Sequence, residues 1–324
     1  MTVQGQIGVL VMSHGTPPSL DGLLAFYTEI RRGNPPSTVQ LADLERRYRS
    51  IGGMSPLSAR TREQEAGLAL ALEDIARGRY VVAGGTKFAQ PRIGEALDAL
   101  ASAGVERVTG VVLAPHAAEV SVGDYVRRAD EAARALEESR GAVLPVRVIR
   151  HWYDAPGFDE LLAERVRDAI DTLPADRRQG VEVLFSAHSV PLRTIESGDA
   201  YASQVEASAA GVAAAAELGR WRTCWQSAGR TEEPWLGPDL LGTVAAAAED
   251  SATAVVVCPI GFVSDHLEVL YDVDIEARAV AERRGLAFAR TRSLNDDPRF
   301  CALVARVVHE ASSAGTSGTA GTAR

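Results

Sequence analysis

The order of apolar and amphipathic segments along the 324 residues predicts an α/β fold built on parallel, doubly wound sheets. Three observations carry that expectation. Short runs of consecutive apolar residues recur along the chain, longer stretches of helical periodicity separate them, and the whole order occurs twice. The runs lie at residues 7–12, 80–83, 108–113, 146–149, 181–185, 221–225 and 254–259. Each is apolar on successive positions rather than alternating ones, as in strands covered by helices on both faces. Segments such as 58–76, 125–138 and 265–284 repeat their apolar residues at helical spacing. The Ala-rich stretch 207–216, broken by Ser208 and Gly211, reads as a helix that packs closely through small residues.

Four runs open the first half, and three or four the second. This predicts two similar Rossmann-like lobes, residues 1–150 and 151–312, followed by a low-complexity Gly/Ser/Thr/Ala tail, 313–324, expected to be disordered. Ligands of open parallel sheets bind beyond the carboxyl ends of the strands, so two such lobes would enclose a cleft.

Composition narrows the function. A formal net charge of −9 disfavours nucleic acid or anionic lipid as a partner of the surface as a whole. No run approaches the ~20 apolar residues needed to span a bilayer, and residues 1–17 lack a basic, signal-like start. A cytoplasmic protein without a transmembrane segment is expected. Three scattered cysteines, Cys224, Cys258 and Cys301, argue against a disulfide framework and fit a reducing compartment. The G-x-S-x-G elbow, the G-x-x-x-x-G-K-[ST] loop, the dinucleotide fingerprint near Gly84-Gly85, and the H-E-x-x-H and C-x-x-C spacings do not occur. The common hydrolase, nucleotide and zinc readings fall away.

Four of the six histidines, His14, His116, His188 and His266, stand just after expected strands, where an α/β fold builds its site. A strand-end histidine can equally cap a helix or bond a carbonyl. The segment 265–276 adds a second feature. On a helix, Glu268, Asp272 and Glu276 share one face while Leu267, Leu270, Val273 and Ile275 provide apolar cover. Like charges at that spacing repel by a few tenths of a kcal/mol. Such a row can serve a hard or borderline cation, or it can be a solvated acidic face favoured by a helix dipole.

Six segments, taken in order, carry a resemblance. They are FYTEIRRG at 26–33, RYRSIGGMSPL at 47–57, LAPH at 113–116, SAHSVP at 186–191, WQS at 225–227 with PWLGP at 234–238, and SDHLEVLY at 264–271. Over residues 6–310 the chain resembles the ferrochelatases, most closely the coproporphyrin ferrochelatases of Gram-positive bacteria. The resemblance implies a chelatase-like fold with a porphyrin cleft between the lobes, and insertion of Fe²⁺ into coproporphyrin III in haem biosynthesis. His188 and Glu268 take the positions of the family's facing catalytic pair. Asp272 and Glu276 extend these two as a metal-handling row. Arg31, Arg47, Tyr48, Ser55 and Tyr125 fall on positions that line the porphyrin or hold its propionates.

The residue types suit these roles. Neutral imidazole accepts a pyrrole proton or ligates iron, and arginine binds a carboxylate with both prongs of its fork. His14 stands where many relatives have a tyrosine that reaches the iron, and is expected to replace it at the substrate site. Phe88 replaces a histidine of some relatives. A four-thiolate iron–sulfur cluster cannot be assembled from three cysteines. Iron is therefore expected as a substrate, with no resident cofactor, in a monomer that contacts neighbouring haem-pathway enzymes only transiently. Protoporphyrin IX insertion, insertion of another divalent metal, and a non-enzymatic porphyrin or haem carrier are the rival readings.

Overall fold

The computed structural model describes residues 5–229 and 231–314. Among these residues eight strands form two sheets: β1 Ile7–Ser13, β2 Tyr80–Thr86, β3 Arg107–Val112 and β4 Val146–Ile149 in one, β5 Val181–His188, β6 Trp221–Gln226, β7 Ala254–Cys258 and β8 Ala287–Arg290 in the other. Their orders, β2-β1-β3-β4 and β6-β5-β7-β8, are the same arrangement repeated, and every pairing is parallel. The expected α/β architecture of two Rossmann-like lobes is thus present, with flanking helices on the sheets. In each lobe the first strand lies at the point where the strand order reverses, which is where such sheets bind ligands.

Seven strands match the apolar runs. The eighth, β8, reads Ala-Phe-Ala-Arg and carries one large apolar residue, so it showed no run of its own. A second difference concerns segment 265–284. Instead of a regular α-helix it is a π-helix over Val269–Ala277, continued by an α-helix at Arg278–Arg283. The wider turn moves carbonyl bonding from i+4 to i+5, a form found mostly at functional sites. No helix among the described residues is long and apolar enough to cross a membrane.

The largest core is shared between the lobes. Val9, Val11, Leu68, Leu72 and Val111 of the first join Val183, Phe185 and Val256 of the second through Phe300, Leu303, Val304 and Val308. These last four belong to the helix Pro298–Ala314, which returns to the first lobe. Polar bonds fix its end there: Thr109 Oγ1 lies 2.9 Å from Ser312 Oγ, and the Tyr80 hydroxyl 2.8 Å from His309 Nδ1. Ser313 and Ala314, expected in the tail, are helical, while the rest of that tail, 315–324, lies outside the described residues.

Candidate active site

The carboxyl ends of both sheets face a common cleft. His188 is the last residue of β5, and its Nδ1–H donates to the Ser189 carbonyl. A carbonyl can only accept, so this bond assigns the proton to Nδ1 and turns Nε2 outward. Across from it stands Glu268, with Oε1 3.7 Å from Nε2 and about two-fifths of each side chain open to the cleft. His14, just past β1 in the other lobe, repeats the arrangement. Its Nδ1–H bonds the Gly15 carbonyl at 3.0 Å, leaving Nε2 free, and its ring rests on Phe88 and Phe26. His266 is held the other way round. Its Nδ1 accepts the Glu268 N–H at 3.2 Å, so its neutral form offers an N–H rather than a lone pair.

Charge ties these groups together. Burial works against an imidazolium at His188, but the Glu268 carboxylate opposite outweighs it and raises the pKa above the ordinary histidine range. Burial also opposes the Glu268 charge, yet His188, His266 and His14 hold that carboxyl well below its usual value. His266 is pushed down to about 4 by burial, with His14 and His188 adding to the fall. His14 opens to the cleft, but the surrounding protein still lowers its pKa.

The acidic row continues inward along the π-helix. Asp272 is buried, bonded to Ser227 Oγ at 2.5 Å and 3.7 Å from Arg47 Nη1. Burial and the Glu268 charge raise it to about 7, against the pull of Ser227 and Arg47. It is therefore not part of a solvated face. Glu276 is the next carboxylate, and its charge adds to the rise at Asp272. Arg46 and Arg47 both lie over the Tyr271 ring, and Arg46 donates to its hydroxyl at 2.6 Å. The buried Tyr48 hydroxyl meets Thr16 Oγ1 at 3.2 Å.

The structure thus gathers His14, His188, Glu268, Asp272, Arg47 and Tyr48. Other expected residues stand further out or deeper. Arg31 stacks on Tyr27 and donates to the Asn34 carbonyl, while the Ser55 hydroxyl accepts the Leu57 N–H at 3.3 Å. Tyr125 is buried in the first-lobe core, its ring 4.6 Å below the Lys87 ammonium. His116 does not reach the cleft. It is buried, bonds Ser208 Oγ at 2.9 Å and stacks on Tyr153. His266 was expected only as one of four strand-end histidines, and Gln226 and Ser227 only as part of a matching motif, with no role given to any of them. Gln226 and Ser227 bond Glu268 and Asp272 of another segment, which the sequence does not bring together.

A histidine and a carboxylate 3.7 Å apart, with His14 of the other lobe close enough to feel the same charge, form a donor set suited to a first-row divalent cation at the carboxyl ends of the two sheets. Comparison with known proteins agrees. The family model described as Ferrochelatase matches residues 6–312, and the chain belongs to that family. A relative named ferrochelatase, from Herpetosiphon aurantiacus, is 39% identical over 94% of this chain and 99% of its own. Relatives named coproporphyrin III ferrochelatase, from Geobacillus kaustophilus and Listeria monocytogenes, are 38% and 36% identical over 94% and 95% of this chain and 96% and 99% of their own. Among solved structures, SirB from Bacillus subtilis with Fe³⁺ shares the fold, with a TM-score of 0.56 at 14% identity over 96% of this chain and 98% of its own.

Proposed function

We propose that the chain inserts Fe²⁺ into coproporphyrin III, giving Fe-coproporphyrin III and two protons as a step of haem synthesis. The observation that carries this reading is the His188–Glu268 pair, held 3.7 Å apart and open to the cleft. Two atoms that ligate one first-row ion at about 2.0–2.2 Å lie roughly 3–4 Å from each other, so the gap suits a bridged cation. At neutral pH the empty pair keeps a proton on His188. An arriving dication replaces that proton. When the ion passes to the macrocycle, the vacated imidazole becomes basic again and takes one pyrrole proton. The other leaves by Glu268 and Asp272, whose carboxyl, raised to about 7, exchanges protons readily at neutral pH. His14, whose Nδ1 is taken up by the Gly15 carbonyl, would offer its Nε2 lone pair to the metal.

Arg31, Arg47, Tyr48 and Ser55 are assigned to the porphyrin and its propionates, and Tyr125, buried in the first-lobe core, to the wall that supports it. The four-propionate substrate is favoured by the relatives that bear its name and by arginines able to clasp carboxylates. Iron enters as a substrate, and no resident cofactor is proposed. The three cysteine thiols are all buried, and burial raises the pKa of each, so they are poor cluster ligands. A cytoplasmic monomer that meets other pathway enzymes transiently completes the reading.

Anaerobic absorbance with Fe²⁺, comparing coproporphyrin III and protoporphyrin IX, tests it. Conversion of coproporphyrin III alone is the expected outcome. Preference for protoporphyrin IX would overturn the substrate assignment, and tight porphyrin binding without conversion would indicate a carrier.

A further inference from the structure

Gln226 joins the two halves of the reacting pair. It ends β6 in register with His188, and its carbonyl accepts the Ser189 N–H at 2.8 Å. Its side chain is buried and uses both ends. Oε1 accepts the Ser186 hydroxyl at 2.8 Å, and Nε2 donates to the Glu268 carbonyl at 3.1 Å. The amide can point only this way. Glu268 O accepts and never donates, whereas the Ser186 hydroxyl can do either. One residue therefore spans from the strand that carries His188 to the turn that carries Glu268.

The pair itself needs such a hold. His188 Nε2 and Glu268 Oε1 stand 3.7 Å apart, the separation of two ligand atoms on one first-row ion. The backbone at Glu268 is fixed on one side by His266 Nδ1 and on the other by Gln226 Nε2. Ser227, the next residue, holds Asp272 one turn on. Gln226 and Ser227 thus hold the main chain of Glu268, at the start of the π-helix, and the carboxyl of Asp272 within it.

We infer that Gln226 is a positioning residue that keeps the His188–Glu268 gap at the width one divalent cation bridges, and so governs capture of the metal rather than of the porphyrin. This rests on the function proposed above. Without Gln226, the main chain of Glu268 loses one of its two side-chain anchors, and its carboxylate no longer keeps that distance from His188.

The experiment is steady-state Fe²⁺ insertion under anaerobic conditions by wild type, Gln226→Met and Ser186→Ala, with coproporphyrin III affinity measured separately by fluorescence. Gln226→Met is expected to raise the KM for Fe²⁺ by about 10–100-fold, the usual cost of losing a group that orients a metal ligand. Porphyrin affinity should stay at the wild-type value and kcat change far less than KM. Ser186→Ala, which removes only the far anchor, should raise the same KM by about fivefold, the worth of one net hydrogen bond. A wild-type KM in Gln226→Met, or an equal loss of porphyrin affinity, overturns the assignment. Should Gln226→Met fail to fold, Ser186→Ala decides alone, and an unaltered KM there overturns it. Failure of the wild type to insert iron would sink the functional reading instead. Gln226 would then be judged by Co²⁺ calorimetry, where Gln226→Met should bind about tenfold more weakly and equal affinity would refute its role.

Discussion

At His188 two effects oppose each other, and the result sets the chemistry. Burial disfavours the imidazolium, while the Glu268 charge favours it and wins. The folded site therefore binds a proton more tightly than a free histidine does. A cation must displace that proton, so affinity for Fe²⁺ or Co²⁺ should climb with pH until the raised His188 pKa is passed, then level off. Calorimetry at pH 7 in buffers of different ionisation enthalpy should show about one proton released per cation. Glu268→Gln removes the opposing charge and leaves burial in control. A histidine-resolved NMR titration should then place His188 at or below the ordinary 6.5, and a value still raised would mean that Glu268 is not the cause. The same variant should bind coproporphyrin and fail to insert iron. His188→Ala should cost insertion about 10²–10⁴-fold, the range of a lost general base, and unaltered kinetics would remove His188 from the mechanism.

At the scale of elements, the π-helix Val269–Ala277 carries the buried Asp272 one turn beyond Glu268. Its wider turn carries the row along the cleft, where Ser227 and Arg47 offset part of the desolvation. A different carboxyl shows what burial does without such partners. Asp159, in the first turn of helix Phe158–Asp171, has an Oδ1 buried with no hydrogen bond, and its Oδ2 lies where a side chain at Gly211 would be. Desolvation, helped by Glu160, raises it to about 6. The folded chain binds this proton more tightly than the unfolded chain, in which the carboxyl titrates near 3.9. The cost of its charge is therefore full above pH ~6 and disappears as pH falls toward ~4. Asp159→Asn should raise the Tm at pH 7.5 and leave it nearly unaltered at pH 4, as read by thermal circular dichroism. A gain that persists at pH 4 would point to some cause other than charge.

In the whole molecule, the two sheets depend on one core and one returning helix. Phe300 is fully buried beside Trp152, which also packs on Phe158, in the core the two lobes share. Phe300→Ala should destabilise the protein by about 3–5 kcal/mol, as large-to-small changes in cores do. Because the core is continuous, urea unfolding should remain one transition when followed by far-UV circular dichroism and by tryptophan fluorescence. Two separate transitions would show that the lobes fold independently. The shared core also bears on the cleft: movement of one lobe on the other would alter the His14–Glu268 relation, which no single lobe contains.

The sequence by itself determined the strands and their parallel order. The central strands β1, β3, β5 and β7 are buried along nearly their whole length, so burial is written locally as an unbroken apolar run. The motifs SAHSVP and SDHLEVLY likewise fixed the family and marked His188 and Glu268 as a pair. Local pattern stops there. β8, half Ala and closed by Arg290, has no run to reveal it, and four-residue spacing cannot tell a π-helix from an α-helix. Whether Asp272 is solvated or buried, and whether Tyr125 lines a cleft or fills a core, depends on which surface covers it, and that surface comes from elsewhere in the chain. Only the tertiary structure brought Gln226 to the Glu268 carbonyl and His14 into the field of Glu268. Such contacts join residues that the crossovers of two sheets bring together, and a periodicity read along one segment contains no term for them.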